Sequence, residues 1–264
     1  MKAQDFEFDG KKLSSFDMII CRFGSGGLDT ISNGSVLSFN TVSALDGSIH
    51  RLVSTEYEDC LETTIQICKN PCHNRDMEIS SSLFRELVRW LNRKKFLKFK
   101  ILSEEYIDLY YEAKIDISRI ELDGKIVGLE LTIKTNRPFA LKEPRVITIK
   151  NTSKDGKHSI GDVSHEEGYI YPRTEITITE NGNLNIHNAL EDRNTYIANC
   201  VAGEVITMDY PIITSSISSH NVQNDFNWNF FRIANSYHNN RNDLTISIPC
   251  AIKIEYSPIV KVGL

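Results

Sequence analysis

One stretch of this sequence has the period of a helix, and it limits what the rest of the chain can build. From Ile79 to Leu91 apolar residues recur at Ile79, Leu83, Phe84, Leu87, Val88 and Leu91, the spacing that gathers them on one face. Arg85, Glu86 and Arg89 fall outside that face, so the helix docks on something by one stripe. Ser80, Ser81 and Ser82 suit its start. Asn92, followed by Arg93, Lys94 and Lys95, suits its end, where positive charge meets the negative end of the helix dipole. Almost everything else reads as strand, which predicts a mainly β chain with one helix packed on a sheet.

The strand signals fall into two groups. In the first, Phe6 to Phe8 alternate and close on the turn residues Asp9 and Gly10. Leu61, Thr63, Ile65 and Ile67 alternate with polar neighbours just before the helix. After it come Phe96 to Leu102, Ile107 to Ile117 and Lys125 to Ile133, with Asp123 and Gly124 marking a tight hairpin between the last two. Pro138 and Pro144 then interrupt regular pairing, which places a domain boundary at 136/137, giving domains 1–136 and 137–264. The second group has short strands at Val146 to Lys150, Glu175 to Glu180, Leu184 to His187, Thr195 to Cys200, Glu204 to Met208, Asn229 to Ile233 and Leu244 to Tyr256. Seven or more short strands with no helical period describe a β-sandwich. Leu244 to Ile254 hold one parity with Pro249 on the other, which calls for an edge, a bulge or two successive strands.

Composition narrows the chemistry. At 264 residues, 25% charged and 41% apolar, the chain has the make-up of a soluble globular protein, and its net charge of −5 argues against general nucleic-acid binding. No apolar run is long enough to span a bilayer, and Met1 to Phe6 lack the apolar core of a signal peptide, so synthesis and folding are expected in a cytosol, with no membrane partner. The six cysteines sit largely within apolar alternation, as reduced core thiols do. Cys68, Cys72 and His73 could supply metal ligands, but a second matched pair is missing and Pro71 fits an ordinary loop. Gly24 to Gly27 lack the strand, helix and Lys that a phosphate loop needs.

No nucleophile elbow or zinc-protease motif is present, and Glu104-Glu105 and Glu166-Glu167 are sequence neighbours that a strand would point to opposite faces. No enzymatic activity, catalytic residue, metal or cofactor is therefore expected. The basic cluster Arg89, Arg93, Lys94, Lys95, Lys98 and Lys100, interleaved with Phe96 and Phe99, reads as a helix end and an outward strand face rather than a nucleic-acid site. The run from Asn221 to Asn242 mixes amides with Trp228 and Tyr237 and ends near Arg241. Those residue types suit sugar contacts, though a core Trp beside Asn-rich turns gives the same pattern.

The order of these parts resembles a known family. A Phe-x-Phe-Asp-Gly strand at Phe6 to Gly10, a helix ending Arg89-Trp90-Leu91-Asn92, Tyr110-Tyr111-x-Ala113, a hairpin, and Asn136-x-Pro138-Phe139 are similar to the distal tail proteins (Dit) of long non-contractile tailed bacteriophages. The likeness continues through Glu167-Gly168-Tyr169 and Asn242-x-Leu244-Thr245-Ile246 to Pro258, in the manner of that family's C-terminal galectin-like sandwich. The resemblance implies an N-terminal β-barrel or sandwich-like domain with one helix and an extended hairpin, and a C-terminal galectin-like sandwich. It further implies a virion protein at the tail tip, assembled in the bacterial host cytoplasm as a homo-hexameric ring. Its partners would be the tail tube protein, the tail-associated hub protein and receptor-binding or baseplate proteins. DNA would pass through the channel without specific binding.

Under this resemblance the loop Phe23 to Gly34 and the segment Phe39 to Arg51 are the expected ring or axial contacts, with Phe39 and Arg51 as ring contacts. The alternative is a carbohydrate-binding module that contacts cell-wall glycans through Trp228, Tyr237 and Arg241. The chain lacks the strand motif of true galectins, however, having only His238-Asn239-Asn240-Arg241 and no matching Glu-x-Arg.

Overall fold

The computed structural model describes residues 5–24, 36–44, 47, 49–236 and 238–263. They fall into two compact units, Met1–Lys142 with Val260–Leu264, and Glu143–Ile259.

The first unit contains β1 (Phe6–Phe8), β2 (Lys11–Lys12), β3 (Met18–Cys21), β4 (Leu37–Ala44), β5 (Ile49–Tyr57), β6 (Glu62–Lys69), α1 (Ser81–Leu91), β7 (Leu97–Ile101), β8 (Leu109–Leu122), β9 (Lys125–Thr135) and β10 (Ala140–Lys142). Antiparallel pairing gives the order β2-β1-β7-β8-β9-β6-β3. β10 pairs with the start of β8, through Leu141 opposite Tyr110. The sheet is open, so no closed barrel forms among the described residues. The Asp123-Gly124 turn has φ of 53° and 74°, the left-handed pair that a two-residue hairpin requires.

The hydrophobic stripe of α1 explains its docking, and its caps explain its length. The Ser80 hydroxyl accepts from the Leu83 N–H at 3.3 Å, and the Asn92 N–H closes the last turn on the Val88 carbonyl. Leu87 and Leu91 are buried, and so is Trp90, one position outside the stripe read from the sequence. The Trp90 ring stacks on Phe6 and Phe16 at 5.8 and 4.7 Å. Its Nε1–H donates to the Phe8 carbonyl at 2.9 Å, which lets a polar aromatic sit in the core.

The second unit contains β11 (Arg145–Asn151), β12 (Gly156–Gly161), β13 (Gly168–Ile170), β14 (Arg173–Ile178), β15 (Gly182–Asn188), β16 (Arg193–Cys200), β17 (Val205–Asp209), β18 (Ile212–Ser215), α2 (Val222–Asp225), β19 (Ile233–Asn235), β20 (Arg241–Ile246) and β21 (Cys250–Tyr256). Two sheets form, β11-β21-β14-β17-β18 and β12-β20-β15-β16. Alternate residues of both, among them Ile176, Ile206 and Ile252 from one and Leu184, Ile186 and Ile246 from the other, share one core. That is a sandwich. The long parity run before Tyr256 proves to be two strands in different sheets, with Pro249 at the crossing. Buried Asn151 satisfies the carbonyls of that crossing, donating to Ile248 O at 2.7 Å and Ile246 O at 3.3 Å. The strand expected from Asn229 starts only at Ile233; the residues before it are irregular, and Trp228 just ahead of them has a left-handed backbone with φ of 60°.

A last strand, β22 (Ile259–Val260), pairs with β10, so the chain returns to its first unit at its end. There the buried Tyr111 hydroxyl donates to the Gly263 carbonyl at 2.7 Å. The first unit thus extends past the Pro138 junction through β10 and also takes in Val260–Leu264.

Candidate functional site

The most unusual surface is the hairpin of β4 and β5. Its register sets Leu37 opposite Tyr57, Phe39 opposite Thr55, Thr41 opposite Leu52, and Val42 opposite Arg51. Strand alternation therefore puts Leu37, Phe39, Leu52 and Tyr57 on one face and Val42, Ile49 and Arg51 on the other. A bulge after Asn40 leaves Val53 without a cross-strand partner position. Phe39 is 60% exposed, Val42 57%, Leu52 57% and Val53 65%, so apolar side chains face water on both sides. Neither strand pairs with a third among the described residues, which leaves both outer edges open.

Phe39 and Arg51, singled out in the sequence, are both on this hairpin, on opposite faces and both exposed. Of the loop Phe23 to Gly34, only Phe23 and Gly24 lie within the described residues. The Phe23 N–H donates to Gln66 Oε1 at 2.9 Å, and the rest of that stretch lies outside the described residues.

A buried cluster of titratable groups lies in the second unit. Glu204 is fully buried and accepts from the Ser215 hydroxyl at 2.5 Å, from the Val201 N–H at 3.0 Å, and shares a 2.5 Å contact with His220 Nδ1. His220 Nε2 lies 3.2 Å from Asp225 Oδ2, near enough for an ion pair but off the angle of a hydrogen bond. Burial alone would raise the Glu204 pKa. The bonds from Ser215, His220 and Val201 outweigh it and hold the carboxyl below its ordinary 4.5. Ser215 is bonded to the carboxylate rather than to the imidazole, so the group is not a nucleophile and base. It clips α2 to the ends of β17 and β18.

Cys68, Cys72 and His73 do not converge on a metal site: Cys68 is buried in β6, Cys72 is exposed, and His73 Nδ1 meets Asp17 Oδ1 at 2.8 Å. No cluster of three or more His, Cys, Asp or Glu suited to a metal is found among the described residues.

Of the three residues expected to contact sugar, Trp228 is 58% exposed and belongs to an aromatic cluster, 5.8 Å from Phe226 and 6.4 Å from Phe230. Arg241 opens β20 and pairs with Asp243 at 2.9 Å, while the Trp228 loop bonds to β16, with β15 between these two strands. The two are not brought together in one sheet position. Tyr237 lies outside the described residues. The sequence reading missed Tyr171 and Tyr210, which stack at 4.4 Å beside Phe230. Their separation along the chain hides this, and only the pairing of β14 with β17 brings the flanking segments together.

Two family models match the chain, one described as a phage tail protein N-terminal domain over residues 1–137 and one as a phage tail C-terminal domain over residues 139–256. No curated protein matches it. A solved structure described as SPP1 Dit, a paradigm of hub adsorption apparatus in Gram-positive infecting phages, superposes with a TM-score of 0.65 at 7% identity, covering 97% of this chain and 99% of that one. At that identity the likeness is one of fold.

Proposed function

We propose, from the premise that this chain belongs to the phage tail protein family whose N- and C-terminal domains it matches, that it is the subunit of a homo-hexameric ring at the tail tip. The observation that carries this reading is the uncovered β4–β5 hairpin. An isolated two-stranded hairpin is marginal in water, and open edges with apolar residues on both faces favour burial against another chain. A second copy supplies that cover with no further partner, and a head-to-tail contact repeated around an axis closes a ring. Phe39 and Arg51 are the contacts we assign, one on each face of the hairpin.

In this reading the first unit continues the tail tube and abuts the hub protein, and the second unit carries receptor-binding or baseplate proteins. DNA passes through the channel without specific binding, which the net charge of −5 favours, since a tightly binding channel would stall passage. The role is structural, with no catalysis, and its place is the virion after assembly in the host cytoplasm.

The test is negative-stain electron microscopy of concentrated protein with mass analysis of the same sample, for wild type and for Phe39→Asp combined with Leu52→Asp. Six-fold rings with a central hole in the wild type, lost in the variant, are expected. Rings of equal yield in the variant would remove the hairpin from the interface. A wild type that stays monomeric both alone and with tube and hub proteins would sink the ring itself.

A further inference from the structure

We infer that the second unit carries a glycan-binding face, built from Tyr169, Tyr171, Tyr210 and Trp228, that takes the pyranose rings of a neutral polysaccharide. It goes beyond the ring and does not depend on it. The four side chains come from three separate stretches of chain yet form one connected surface. Tyr171 stacks on Tyr210 at 4.4 Å, Tyr210 meets the edge of Phe230 at 5.3 Å, and Trp228 borders Phe230 at 6.4 Å. Arg232 extends it, lying 3.5 Å over the Tyr169 ring and donating to the Tyr171 hydroxyl at 3.2 Å. Phe226 and Phe230 are buried beneath and act as the floor, whereas Tyr169, Tyr210 and Trp228 are each more than half exposed.

The surface is also held in place. Trp228 has a left-handed backbone, an outlier for a bulky residue, and the fold keeps it there. The Asn227 side chain accepts from the Tyr196 and Asn229 N–H groups at 3.2 and 3.1 Å and donates to Asn194 O at 2.9 Å, fixing the turn that aims the indole outward. A ring displayed at a conformational cost, in a loop whose neighbours Phe226 and Phe230 are buried, is better suited to contact than to packing.

Three features favour sugar over other occupants. Arg232 is paired with Glu191, with contacts of 2.6 and 2.8 Å, so its charge is already matched and is not free to draw an acidic ligand. The phenol groups of Tyr169 and Tyr210 lie on exposed residues at the rim, where they can bond hydroxyls while the ring faces take the apolar side of a pyranose. The Tyr171–Tyr210 stack leaves no slot between the two rings for a proline to enter, which disfavours a proline-rich peptide.

The chain has two tryptophans, and Trp90 is buried, so the fluorescence of the exposed indole reports on this face. We would titrate the full chain with cellohexaose, maltohexaose and chitohexaose, and with decaproline, following emission wavelength and heat of binding. At least one hexasaccharide is expected to shift emission to shorter wavelength and saturate. Trp228→Ala and Tyr210→Ala are each expected to weaken that binding about tenfold without changing the melting temperature or the circular dichroism spectrum. Tyr210→Ala keeps the test sound if the Trp228 turn rearranges. Silence with all three sugars, undiminished affinity in both variants, or binding of decaproline in their place would overturn the proposal.

Discussion

Glu204 shows how the sandwich accommodates a carboxylate that it has removed from water. Every contact it makes is to a group that prefers it ionised, and its pKa lies below the ordinary value despite burial. The sign of the pH dependence follows. A carboxyl whose folded pKa is depressed adds stability that is present above its unfolded value near 4.5 and is lost as pH falls through the folded value. Thermal unfolding of the wild type should therefore steepen with acid below about pH 4.5, and Glu204→Gln should flatten that dependence. At neutral pH the same substitution should cost about 3 kcal/mol, because it breaks a buried charged network from one side. Equal pH profiles for the two proteins would show that the Glu204 carboxyl titrates alike in the folded and unfolded chains. Trp90 is the matching case in the first unit. Trp90→Phe keeps the ring stack but leaves the Phe8 carbonyl without its donor, and urea unfolding should show a loss of about 1 to 2 kcal/mol.

At the level of elements, legibility followed burial. The helix could be read because its stripe, its Ser80 cap and its Asn92 end all agree, and the β8–β9 hairpin because Asp123-Gly124 allows little else. The uncovered hairpin was less legible. Its apolar residues face both sides and a bulge breaks the alternation, so no single face announces itself, and Phe39 and Arg51 came from the resemblance alone. The aromatic face was half legible: Trp228 stood out by type, but Tyr171 and Tyr210 meet only after the second unit folds. The exposed hairpin makes its own prediction. Phe39→Asp with Leu52→Asp should leave the melting temperature of the monomer within a degree or two, because both side chains already face water and such changes cost at most about 0.5 kcal/mol. A large drop in calorimetry would mean that the hairpin packs against its own chain.

For the whole molecule, the chain segment beyond Ile259 decides how the first unit is built. That unit is not a continuous stretch of sequence, since Val260–Leu264 belong to it and Gly263 accepts from Tyr111. Burial pushes the Tyr111 hydroxyl well above the usual phenol range, so it stays protonated and able to donate. Ending the chain at Ile259 should leave that buried donor unpaired, at a cost of about 1 to 3 kcal/mol. Hydrogen exchange should then speed up in β8 and β10 while β14 and β21 stay protected; uniform exchange across both units would argue against so local an effect. The sequence could not announce this pairing, because two short strands at opposite ends of the second unit carry no local sign of one another.

The same return has a mechanical side. A protease that cuts between Lys142 and Glu143 would sever one of the two passages of the backbone between the units. The two fragments would remain attached through the tail strand seated beside β10, like a peg left in its socket.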